Sequence, residues 1–122
     1  MSFTDAIRDA LSKYATFSGR SSRAAYWWFW LFGLIAIIVA EVIDIALGTS
    51  FVITGIVSLG LLLPNLAVSV RRLHDADHSG WWLLIGFFPL VGTIVLLIFF
   101  LTPSKPPNDW GSGPDTLAAP AF

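Results

Sequence analysis

The chain has 122 residues, 56% apolar and only 12% charged, with six Trp, ten Phe and no Cys. A mean hydropathy of +0.76 excludes a soluble domain of ordinary composition, and the length allows one compact unit. The net charge of −1 gives no bulk attraction for nucleic acid, and the lack of Cys excludes disulfide frameworks, thiolate metal sites and a Cys nucleophile.

In chain order, Phe3, Ile7, Ala10, Leu11 and Tyr14 recur at helical spacing, with Asp5, Arg8, Asp9 and Lys13 on the other side. This predicts an amphipathic helix over 3–16, capped by Ser2 or Thr4 and lying on the inner leaflet. Charge is then absent from 24–40, 45–70 and 79–104. A crossing needs about 20 apolar residues, so transmembrane helices are expected over 24–44, 50–70 and 80–101. A tight turn at Gly48-Thr49-Ser50 joins the first two. The first is too long for a cleaved signal and lacks a cleavage site, which makes it an anchor. The tail over 102–122 holds five prolines and is expected to be extended, with Trp110-Gly111 folding back to the interface. The fold class is an all-α membrane protein: three transmembrane helices, a preceding interfacial helix and a Pro-rich tail.

Basic residues orient it. Arg8, Lys13, Arg20 and Arg23 precede the first span, Arg71 and Arg72 follow the second, and Lys105 alone follows the third. The positive-inside rule then places the N-terminus in the cytoplasm and the C-terminus in the periplasm or outside the cell. Tyr26-Trp27-Trp28 and Trp81-Trp82 open spans at the inner face, as interfacial aromatics do.

Two strings are distinctive: Phe17-Ser18-Gly19-Arg20-Ser21-Ser22-Arg23 leading to Tyr26-Trp27-Trp28, and Arg71-Arg72-Leu73-His74-Asp75 leading to Ser79-Gly80-Trp81-Trp82. With Asn108-Asp109-Trp110-Gly111-Ser112-Gly113-Pro114, they resemble the YhaH-like family of small bacterial inner-membrane proteins, domain of unknown function 805, over residues 17–114. The resemblance implies a multi-pass protein of the bacterial inner membrane without an established activity. Such proteins usually carry Gly where this chain has Asp77, which argues against a tight glycine turn there.

The candidate site is the inner face. Arg20, Arg23, Arg71 and Arg72, with His74 and Asp75, could engage anionic phospholipid headgroups or a membrane partner. The competing reading is topogenic charge, with the arginines paired internally to Asp75 and Asp77. His74, Asp75, Asp77 and His78 suit a divalent ion by residue type, but they fall in a short loop whose register the sequence does not fix, and no metal or other cofactor is assigned. His74 and Asp75 are expected to bond to each other and to the Arg pair, with Ser79 capping the third helix. Glu41 and Asp44 lie near the outer boundary within reach of water, whereas Asn65 lies below the inner surface as interhelical glue. Pro64 and Pro89 each deprive a carbonyl of its donor, those of Gly60 and Ile85.

No hydrolase triad, phosphate loop or dinucleotide motif is present. The leading expectation is a non-enzymatic module in contact with the bilayer, self-associating or docking on another membrane protein. The alternatives are a homo-oligomeric channel or transporter component, and a membrane-bound enzyme using His74 and Asp75 on a lipid phosphate.

Overall fold

The computed structural model describes residues 2–111, 113 and 114. Helix α1 spans Phe3–Ser12. Ser2 opens it: its hydroxyl accepts from the Asp5 amide at 3.1 Å, and the Asp5 carboxylate accepts from the Ser2 amide at 3.4 Å, satisfying two donors that a helix start leaves open. Ala6 and Ala10 are buried. Phe3 sets its ring 5.8 Å from Trp28 and 6.5 Å from Phe32. The sequence put Asp9 on the solvent side; it is instead buried, and Lys13 neutralises it at 2.8 Å. Leu11 and Tyr14 are exposed, and the small buried residues Ala6 and Ala10 let α1 approach its neighbours.

Helix α2 spans Arg23–Leu47, with the Ser22 hydroxyl accepting from the Ala25 amide at 3.1 Å. It ends at Gly48, whose φ of 67° suits a residue without a Cβ. Helix α3 spans Val52–Asp75. Both are long and apolar enough to cross a membrane. At ~1.5 Å per residue each runs over 35 Å, against about 30 Å of hydrocarbon.

Asp44 sits inside the α2–α3 turn and is fully buried, where the sequence suggested a water-facing carboxylate. It accepts from the amides of Ile53 and Thr54, each at 2.9 Å, and from the Thr49 hydroxyl at 2.6 Å. A side chain at the end of one helix therefore caps the start of the next. The Thr54 hydroxyl lies 2.9 Å from both Asp44 and Glu41.

Pro64 lies within α3. The Gly60 carbonyl, which Pro64 cannot serve, instead accepts from the hydroxyl of Tyr14. Helix α3 closes with Asp77 in a left-handed conformation, φ 67°. The His78 amide reaches back to the Leu73 carbonyl at 2.8 Å and the Asp77 amide to that of His74 at 3.1 Å, a Schellman closure. The turn that Asp77 argued against is present, with an aspartate in the glycine conformation.

The third apolar stretch differs most from expectation. A single helix over 80–101 is not formed. Ser79 caps a 3₁₀ segment over Gly80–Phe87, the chain bends at Phe88, and helix α4 runs over Pro89–Leu101. Pro89 opens α4, where its missing amide costs nothing, and the Ile85 carbonyl instead receives the Phe88 amide at 3.0 Å. The two limbs fold onto each other. A Cβ on Gly92 would collide with the Ile85 carbonyl oxygen, and one on Gly86 would just meet the Leu96 side chain. His78 stacks on Phe99 at 3.9 Å and Trp82 meets it edge-on at 5.3 Å. Residues 102–111 consequently return to the end of the bundle that holds Arg23 and Asp75, not to the opposite end that three full crossings require.

Candidate functional site

The basic end is organised around Asp75, the last residue of α3. Asp75, Arg20, Arg71 and Arg72 are each 0% exposed. The Arg20 guanidinium lies against one carboxylate oxygen, 3.0 Å from Nε and 2.9 Å from Nη2, and Arg72 Nη1 lies 3.0 Å from the other. Ser104 donates its hydroxyl to the same carboxylate. Ion pairs so deep are costly unless every remaining donor finds an acceptor, and here backbone carbonyls supply them. Arg20 also donates to Pro106 at 3.2 Å, Gly111 at 3.0 Å, Asp75 at 3.3 Å and Lys105.

Arg72 turns towards α4. Its Nε donates to the Phe100 carbonyl at 3.2 Å and its Nη2 to that of Thr102. Arg23 donates to Leu101 at 3.3 Å, and the Trp27 indole to Phe100 at 3.1 Å. These are the orphan carbonyls and the negative dipole end of α4, so the two guanidiniums close that helix from outside it. Arg71 turns the other way. It donates to Ser21 at 3.0 Å and to the carbonyls of Thr16 at 2.6 Å and Lys13 at 3.3 Å, pinning the α1–α2 connection.

His74 does not pair with Asp75. Its Nδ1 lies 3.0 Å from the Gly19 carbonyl, and its ring stacks on Trp110 at 4.8 Å with 7° between planes. Asn108 donates to the His74 carbonyl at 3.0 Å and accepts the Trp110 amide at 3.0 Å. Residues 103–111 of the tail are therefore built into the site. Residues 112 and 115–122 of the expected extended segment lie outside the described residues.

Of the residues singled out from sequence, the structure brings Arg20, Arg72 and Asp75 into one cluster. His74 and Arg71 border it, and Arg23 stands at its exposed edge. Asn65 lies elsewhere. It lines a groove of about 450 Å³ between α2 and α3, together with Tyr26, Trp30, Leu34, Ser58 and Ser69, and does not bond across to α2. Ser21, Ser104, Asn108 and Trp27 were missed. The Asn-Asp-Trp-Gly string, with the turn chemistry of Asn and Gly, was the one available signal.

Comparison with known proteins follows this geometry closely in extent. The family model described as "Protein of unknown function (DUF805)" matches residues 14–112, from the Tyr14 contact to the Arg20–Gly111 closure. "Inner membrane protein YhaI" of Escherichia coli (strain K12) is 41% identical over 106 residues, covering 85% of this chain and 90% of that protein. "Inner membrane protein YhaH" of the same strain is 34% identical over 115 residues, covering 90% and 94%. No solved structure matches. The chain belongs to the DUF805 family of proteins of unknown function.

Proposed function

We propose that the chain is a non-enzymatic module of the bacterial inner membrane, crossing it twice through α2 and α3. The limbs Gly80–Phe87 and α4 form a re-entrant hairpin that enters and leaves by one face. The observation that carries this reading is the path of Arg72, whose guanidinium joins the end of α3 to the end of α4. Length supports it: the 3₁₀ limb of 8 residues rises about 16 Å. The 13 residues of α4 rise about 20 Å, and neither crosses about 30 Å alone. With the basic residues inside, both the N-terminus and residue 111 face the cytoplasm. The names of the two relatives support the location.

The role of the basic end divides accordingly. Arg20, Arg71 and Arg72 act as internal braces, and Arg8, Arg23 and Lys105, all exposed, meet anionic phospholipid headgroups. His74, 7% exposed under Trp110, and Asp75, surrounded by donors, are structural and not catalytic.

Because the chain has no Cys, single cysteines test the topology. Thr4→Cys, Asp109→Cys and Ser50→Cys would be challenged with an impermeant thiol reagent in intact cells and in inverted vesicles. Thr4 and Asp109 should label from one side and Ser50 from the other. Labelling of Asp109 together with Ser50 restores three crossings and sinks the hairpin.

A second reading concerns self-association. The Asn65 side chain has no hydrogen-bond partner among the described residues, and an amide, both donor and acceptor, can pair with its own copy. Asn65→Leu should weaken a homo-oligomer seen by native mass spectrometry; an unchanged oligomer removes Asn65 from the contact.

A further inference from the structure

We propose that this protein is a curvature-seeking wedge: it favours lipid surfaces on which the leaflet facing its N-terminus is convex. The inference rests on the re-entrant topology above and goes beyond it to the shape that topology imposes. At the basic end five segments pack together: α1 on α2 and α3, the 3₁₀ limb on α3, and α4 on that limb, α2 and α3. At the Gly48–Phe51 end there are two, α2 and α3.

Burial follows the same gradient. Between residues 36 and 59, which form the far half, only Ala40 and Asp44 are buried. Ile45, Phe51 and Leu59 are 73%, 71% and 74% exposed. The basic half holds the packed interior: Ala6, Ala10, Ala25, Phe29, Val68 and the residues around Asp75.

The depths agree. α1 lies against the first half of α2 with its Phe3 ring on Trp28 and Phe32, while Thr4 and Arg8 on its open side reach the headgroup layer. The hairpin bend at Phe88 lies about 16–20 Å in, near the midplane of a hydrocarbon layer of about 30 Å. Three of the five segments therefore fill the cytoplasmic leaflet and stop there. The bend is apolar and open, with Phe87 and Leu90 81% and 75% exposed, and Trp81 at 78% marks the entry level, where an indole suits the headgroup boundary.

A body that displaces more area from one leaflet than from the other compresses the lipids of the crowded side. Bending the membrane so that this leaflet becomes convex relieves the compression. One-leaflet amphipathic helices prefer curved surfaces for related reasons. In this chain the wedge is integral, anchored by two crossings, so its preference acts on where the protein resides, not on whether it binds.

The test uses the full chain carrying a fluorophore on Thr4→Cys, reconstituted into vesicles of one lipid composition at diameters of about 50 nm and about 400 nm. Impermeant quencher separates copies whose N-terminal face points outward from those pointing inward. Outward copies should be about two-fold or more denser per unit area on the small vesicles, and inward copies depleted there. Labelling of Asp109→Cys in the same vesicles reports the topology independently. Densities independent of diameter, with Asp109 and Thr4 on one side, overturn the wedge and leave the hairpin standing. Asp109 and Thr4 on opposite sides overturn the hairpin and the wedge together.

Discussion

The Tyr14 hydroxyl donates to the carbonyl of Gly60, the group that Pro64 leaves without a backbone donor inside α3. Two sequence features 50 residues apart thus form one unit: a proline that opens a helix and a phenol from another element that closes the gap. In the bilayer that the proposed crossing gives α3, removing the phenol oxygen strands a carbonyl away from water, which costs about 1–3 kcal/mol. Tyr14→Phe should lower the midpoint of unfolding in mixed micelles. In a Pro64→Ala background the backbone amide returns, and the same change should cost less. Equal losses in both backgrounds would disprove the coupling.

Asp75 compensates two buried guanidiniums at once. Asp75→Ala leaves both without their counter-charge and should cost about 3–5 kcal/mol, the range for breaking one side of a buried pair. Arg23→Ala, at the exposed rim, should stay within about 1 kcal/mol. Detergent-unfolding curves followed by far-ultraviolet circular dichroism distinguish the two.

Gly92 has the Ile85 carbonyl where a Cβ would be. Gly92→Ala forces the limbs apart, and the cost should exceed the about 1–3 kcal/mol of ordinary overpacking. In detergent solution, limited proteolysis within 80–90 should accelerate. Gly33→Ala, with open space around its Cβ position, should leave cleavage unchanged.

Asp77 occupies a left-handed conformation at φ 67°, in which a Cβ is unfavourable. Asp77→Gly should raise stability by roughly 0.5–1 kcal/mol. A decrease would mean that the carboxylate makes a compensating contribution, for instance to the neighbouring His78.

His78 stacks on Phe99 at the mouth of the hairpin. Burial holds its imidazole below the ordinary value of 6.5, with Lys105 adding to that effect and Asp77 opposing it. As pH falls below about 6.5 the unfolded chain takes up the proton first. The stability linked to this group is therefore intact above about pH 6.5 and lost as pH falls through the lower folded value. His78→Gln should flatten the difference in unfolding midpoint between about pH 7.5 and about pH 5.5.

Local chemistry was the legible part of the sequence. Ser2 and Ser79 announce helix starts through neighbouring residues, and two long uncharged stretches correspond to two long helices. The third stretch misled because hydropathy counts residues and not the direction of the chain. Gly86, Pro89 and Gly92, clustered at its centre, were the sign of a bend, since residues before proline avoid the helical conformation and glycine permits close limbs. Arg72 could not be assigned from spacing, because its acceptors are carbonyls 28 and 30 residues away. Asp44 was misplaced for the same reason: depth along a helix says nothing of the turn that folds over it.

Arg20 reaches its last acceptor, the Gly111 carbonyl, across 91 residues of sequence. During synthesis the arginine emerges early, and Asp75 joins it while the carbonyls of 105–111 are still to be made. The two long apolar helices are complete by then, yet the charged cluster still lacks its last acceptors. Only a chain translated through Gly111 can dry and close it. A chain interrupted before Lys105 would leave Arg20 without the carbonyls of Lys105, Pro106 and Gly111 that complete its donor set.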